Sequence, residues 1–242
     1  MWNIYSRELK AFLNSSIGAL VIGVFLVIIG LFVWVFPETS ILVFGYSNLD
    51  PLFIMAPYVF LFLIPAITMR SFAEEKKTGT IEFLFTRPLD EFTIILSKFL
   101  ASWTLAFFAL VPTLVYYFSV YSLGYPAGNI DTAGVIGSYL GLILLAGVFC
   151  AVGVLSSSIT ENQIVSFIIS VFLCYILYAG FHSISLVDVW GSLSGLIQRL
   201  GISYHYESIS KGLVDSRDLL YFFSLITLLL LGTRLVFKSR KW

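Results

Sequence analysis

Charge is what this chain has little of. Lys, Arg, Asp and Glu make up 12% of its residues, about half the share of an ordinary soluble domain. Hydrophobic residues make up 59% and mean hydropathy is +0.96. That balance excludes a soluble enzyme and points to a chain dissolved in a bilayer. Fourteen basic and fourteen acidic residues cancel, so no basic excess exists to hold nucleic acid. Cysteine is nearly absent. Cys150 and Cys174 lie within apolar runs and read as small packing residues, with no redox or metal spacing. His182 and His205 stand apart and share no metal pattern.

Catalytic motifs are missing as well. There is no G-x-x-x-x-G-K-[ST] phosphate loop, no G-x-S-x-G and no H-E-x-x-H. Glu74-Glu75 opens an E-E-x-x-x-R intramembrane-protease pattern, but Gly79 stands where its arginine should be. The chain therefore reads as a non-enzyme that binds no cofactor or metal of its own.

What it does have is long apolar runs. A helical span needs about 20 residues, and 242 residues hold six: 17–36, 52–69, 99–121, 135–155, 164–187 and 219–237. The expected fold class is an all-α integral membrane protein, residues 1–242 forming one transmembrane domain. The first run is too long for a signal-peptide core and ends at Pro37-Glu38, so it reads as a true span with no cleavable leader. Residues 1–14 read as an amphipathic interfacial helix, with Trp2, Tyr5, Leu9, Phe12 and Leu13 opposite Asn3, Ser6, Arg7, Lys10 and Asn14; a plain extension of the first span is the alternative. Pro57 and Pro65 predict a kinked second span. The stretch 189–200 is too short to cross and predicts a re-entrant or interfacial helix, within an outer segment over 189–218.

Basic residues fix the expected orientation. With both termini inside, 11 of the 14 Lys and Arg lie on the cytoplasmic side, leaving Arg199, Lys211 and Arg217 outside. No span has a charged residue near its centre, which argues against an ion-driven carrier. Gly137 and Gly141, and the stripe Ser166, Ser170 and Cys174, allow close helix approach. They serve either packing within the chain or a subunit interface.

One polar stretch stands out. Residues 74–88 join the second and third spans and carry Glu74, Glu75, Lys76, Lys77, Glu82 and Arg87. Ile81, Leu84 and Phe85 recur beside them at helical spacing, and Pro88 ends any helix there. A short helix with apolar knobs outside a bilayer suits capture by another protein. A solvated loop with snorkelling side chains is the competing reading.

Glu74, Glu75, Gly79, Thr80, Ile81, Glu82, Leu84, Thr86 and Pro88, with Lys98 before the third span and the turn Ser156–Gln163 between the fourth and fifth, resemble the ABC-2 type transporter permeases. The match is nearest to the GldF-type permeases of the bacterial gliding-motility transporters. That resemblance implies an inner-membrane protein, an ATPase partner of GldA type holding ATP and magnesium, and a companion membrane subunit of GldG type or a second copy of this chain. It implies that 74–88 is the coupling helix. Phe83, Leu84 and Phe85 would enter a groove of the ATPase, Glu74, Glu75 and Glu82 would meet basic residues on it, and Gly79, Thr80, Thr86 and Pro88 would shape the segment. Thr160, Glu161, Asn162 and Gln163 would form a second, smaller contact. Lys76-Lys77 depart from the family, where Arg often follows the acidic pair.

Overall fold

The computed structural model describes residues 1–81, 90–187 and 193–239. Among these residues the chain is helical throughout, with no strand, and six helical stretches are long and apolar enough to cross a membrane. In chain order the helices are α1 (Trp2–Leu13), α2 (Ser16–Gly30), α3 (Ile41–Phe44), α4 (Asp50–Thr68), α5 (Ala73–Lys77), α6 (Glu91–Leu110), α7 (Leu114–Leu123), α8 (Thr132–Ile159), α9 (Gln163–Tyr175), α10 (Phe181–Ser185), α11 (Ser194–Leu200), α12 (Ile202–Ser210) and α13 (Ser216–Ser239).

Helix α8 is the axis. Its crossing segment is 83% buried, against 22% for the first and fifth spans. It contacts α4, α6, α9, α12 and α13. Its sequence suits that place: small residues are spread around it, and Gly137, Ser138, Gly141, Ala146, Gly147, Cys150, Ala151 and Gly153 are all buried. Lipid is as apolar as leucine, so close van der Waals approach, not exclusion of water, holds such helices together. The expected stripe on the fifth span behaves accordingly. Ser166, Ser170 and Cys174 are the buried residues of α9, which lies along α8. Gly137 and Gly141 pack within the chain too. A Cβ on Gly137 would come 2.7 Å from the Ile209 carbonyl oxygen, and one on Gly141 would come 3.2 Å from the Tyr206 ring.

The third span starts earlier than hydropathy suggests. Helix runs from Glu91, and a 3-10 turn at Val111–Thr113 accommodates Pro112. Pro57 and Pro65 sit inside α4 without ending it. The fourth helix runs on to Ile159, so Ser156–Ser158 are helical residues and the turn begins at Thr160.

At the end of the bundle formed by the starts of α4 and α8, the outer segment expected over 189–218 contains α12. Ile202, Tyr206 and Ile209 are buried, and Tyr206 Oη donates to the Phe53 carbonyl at 2.7 Å. His205 lies 2.7 Å from Asp218 through Nδ1 and 2.9 Å from the Arg199 carbonyl through Nε2. Its ring stacks 3.9 Å from that of Tyr221. Residues 189–192, with Gly191, and the terminal Arg240 and Lys241 lie outside the described residues.

Candidate functional site

The opposite end gathers the C-terminal ends of α4, α8 and α13 with the N-terminal end of α6, and α1 lies along α6. Helix α5 sits at their junction. Its sequence, Ala-Glu-Glu-Lys-Lys, puts acids in the first turn and bases in the last, as the helix dipole favours.

Lys98 organises this end. Its side chain is 1% exposed. A buried ammonium needs all three protons satisfied and its charge matched. Nζ meets Glu75 Oε1 at 2.9 Å, Glu8 Oε1 at 3.1 Å and the Ser71 carbonyl at 2.5 Å. Arg7 completes a ring of alternating charge, bonding Glu8 at 2.8 Å and Glu75 at 3.1 Å. The Lys98 ammonium also lies 5.0 Å over the Phe72 ring, close enough for a cation–π contribution. Burial alone would raise the Glu8 carboxyl; Lys98 and Arg7 outweigh it and hold that group below its ordinary value. The ring ties α1, α5 and α6 together.

Three further ties fix α5. Ser157 Oγ accepts from the backbone N–H of Phe72 at 2.9 Å and of Ala73 at 3.0 Å, and donates to the Met69 carbonyl at 3.1 Å. Lys76 Nζ donates to the Ser158 carbonyl. Phe72 packs edge-on to Phe237 of α13 at 4.8 Å, and Lys76 lies 5.5 Å over the same ring. The apolar-to-polar junction at 72–76 is thus bonded to α8 and α13 as well as to α1 and α6.

The expected site residues divide. Glu75 belongs to the charge ring, whereas Glu74 is exposed beside it. Gly79 is exposed at φ +70°, a left-handed turn that favours glycine. Thr80 is exposed, its hydroxyl 2.9 Å from that of Thr78. Ile81, expected to be an outward knob, is instead 3% exposed and packs into the core. Glu82, Phe83, Leu84, Phe85, Thr86 and Pro88 lie outside the described residues. In the second turn Thr160 and Gln163 are half-buried, while Glu161 and Asn162 are exposed. Asn162 Oδ1 caps α9 by accepting from the Ile164 N–H at 2.9 Å.

Sequence reasoning missed Arg7, Glu8, Ser157 and Phe237. Glu8 had a signal: an acid within an amphipathic helix of a chain that also places Lys98 at the border of its third span. Ser157 lay within the Ser156–Gln163 stretch that carries the resemblance, but only the fold aims it at α5. Of the apolar face expected on α1, Tyr5, Leu9 and Phe12 turn inward, with Ile4 the buried residue. Trp2 and Leu13 are exposed.

The profile of the ABC-2 family transporter proteins matches residues 37–201. The chain belongs to the ABC-2 transporter family. It is therefore a multi-pass membrane component of an ABC transporter, of the kind that works with an ATPase subunit. No curated protein matches the sequence. The matched region includes Glu75, Lys98 and Ser157 but leaves out Arg7, Glu8 and Phe237, so α1 and α13 supply the rest of the junction from outside it.

Proposed function

We propose that this chain is the permease subunit of an ABC-2 transporter in which residues 74–88 receive force from a separate ATPase. The observation that carries this reading is the anchoring of α5 to four other helices at once. A push on a segment held by one flexible tether would be lost in loop motion. A push on 79–88 enters a junction bonded to α1, α6, α8 and α13, so the whole end of the bundle must respond. The 11-to-3 asymmetry of basic residues supports a cytoplasmic α5 end, with both termini inside an inner membrane. The sequence resemblance supports a GldF-type permease of the gliding-motility machinery, with a GldA-type ATPase and a GldG-type companion or a second copy of itself.

A second reading has a specific observation behind it. Among the described residues the buried charged side chains are Lys76, Lys98 and Asp218, all toward the ends of the bundle. A subunit that performs conformational work on a partner at the far end, moving no solute, fits that interior.

The test is co-purification. Phe83→Asp and Leu84→Asp place charges at the proposed anchor positions, and each should weaken association with the ATPase by about 2 kcal/mol or more. Unchanged association of both variants would remove the coupling assignment.

A further inference from the structure

We propose that the wedge between α1, the α4–α5 junction and α6 is a lipid site, and that it takes the phosphoethanolamine headgroup of a phospholipid in the leaflet at the α5 end. It does not depend on the coupling reading, because it concerns what fills a hole beside α5 and not what pushes on it.

The hole is real space. Its volume is about 240 Å³, far beyond the roughly 10–15 Å³ that admits one water. Small residues facing each other make it: Ala11 on α1, and Ala101 and Ser102 on α6. Phe12 and Leu105 add an apolar wall, and the charged side chains of the junction line the rest.

Counting donors and acceptors decides the ligand. The three Lys98 protons already go to Glu8, Glu75 and the Ser71 carbonyl, so Lys98 has nothing left to offer. Arg7 holds Glu8 and Glu75 from outside the hole and does not line it. What remains unmet is of both kinds. Glu75 Oε2 is a buried acceptor without a hydrogen-bond partner, and Arg70 Nε is a buried donor without one. Glu74 adds a second carboxylate with no ion pair among the described residues. A ligand that completes this set brings N–H donors for the carboxylates and an anionic acceptor for the guanidinium. A primary ammonium next to a phosphate does so. A purely anionic headgroup would meet two glutamates, and a trimethylammonium has no N–H to give. The same hole is lined by Phe12, Ile67 and Leu105, apolar surface that suits a glycerol and the first acyl carbons and favours a membrane lipid over a soluble zwitterion.

The experiment is native mass spectrometry of the full chain, released from micelles holding equal amounts of phosphatidylethanolamine, phosphatidylcholine and phosphatidylglycerol with identical acyl chains. The expected result is preferential retention of the ethanolamine lipid by roughly tenfold, the scale of one charge-assisted hydrogen bond. Arg70→Gln and Glu74→Gln should each erase most of that preference. Ala101→Leu, which fills the hole, should reduce total retention; where it fails to fold, the two charge variants carry the comparison. Equal retention of the three lipids, preference for the glycerol headgroup, or indifference to both charge variants would overturn the proposal. Displacement of the lipid by equimolar soluble glycerophosphoethanolamine would overturn the membrane-lipid source.

Discussion

The two ends of this bundle are fastened by different physics. At the α5 end the fastening is a ring of four charges that includes the buried Lys98 ammonium, with Ser157 and Phe237 pinning the same junction. At the far end it is contact between small surfaces. Gly137 lets the α12 backbone approach, and the principal polar ties are Tyr206 to Phe53 and His205 to Asp218. A charge ring built on a buried cation is intolerant: remove Lys98 and the Glu8 and Glu75 carboxylates lose the ammonium they share. A packed surface yields gradually, and its cost scales with the misfit. An end that must transmit displacement needs the first kind, because a bonded junction moves as a unit. An end that must open or reshape is better served by the second.

The contrast can be broken most forcefully at Lys98. Lys98→Met keeps much of the volume but leaves Glu8 and Glu75 facing each other without their cation. The expected cost is about 3–5 kcal/mol, read as a fall in thermal midpoint and loss of α1 docking by cross-linking to α6. A shift no larger than that of a surface substitution would mean that the ring is decorative.

Next in size is Gly137→Val. Its side chain would meet the Ile209 carbonyl of α12 at 2.7 Å and Gly212 Cα, just beyond that helix, at 3.0 Å, backbone atoms that cannot rotate away. Overpacking of this sort costs about 1–3 kcal/mol. Proteolytic sensitivity should rise at 201–215 and stay unchanged at 70–80. Sensitivity at both ends would show that they are not independent.

A third variant, Tyr206→Phe, removes one hydroxyl and orphans the Phe53 carbonyl. The cost should lie near 1 kcal/mol and again be confined to the far end, as hydrogen exchange of α12 can report.

The smallest effect is one of pH. Glu8 titrates below its ordinary value in the folded chain, so its contribution to stability is complete above the unfolded value and falls away as pH drops through the folded one. Acidification from neutrality to below about pH 4.5 should loosen α1 from α6, and Glu8→Gln should flatten that dependence. An unchanged pH dependence in Glu8→Gln would contradict the assignment.

Much of this was legible in the chain itself. Six apolar runs gave six spans because a bilayer imposes one length on every crossing helix. The small-residue stripes found their places on α8 and α9 because lipid leaves close approach as the main cohesive force. The acidic-basic stretch begins at α5, where the structure places Glu75 in the charge ring. What stayed hidden was partner choice. Hydropathy placed Lys98 at a membrane border, where the default is a stem that reaches back to water. Only the approach of α1 to α6 brings Glu8 within reach and turns that border residue into a buried centre. The same holds for Ile81, which has the spacing of an exposed knob and packs inward because α5 is held against the bundle. Helix α12 was readable in hindsight, since Ile202, Tyr206 and Ile209 share one face. Its polar neighbours Ser203, His205, Glu207 and Ser208 masked the pattern.

The central claim is that displacement entering at residues 79–88 leaves through the Lys98 junction. The direct measurement is a distance between spin labels at Thr80 and Lys238, in the permease reconstituted with its ATPase, before and after ATP. In the intact chain ATP should shift the distance distribution, and in Glu75→Gln the ATPase should still co-purify while that shift shrinks or vanishes. An undiminished shift in Glu75→Gln, with the ATPase bound, would contradict the account.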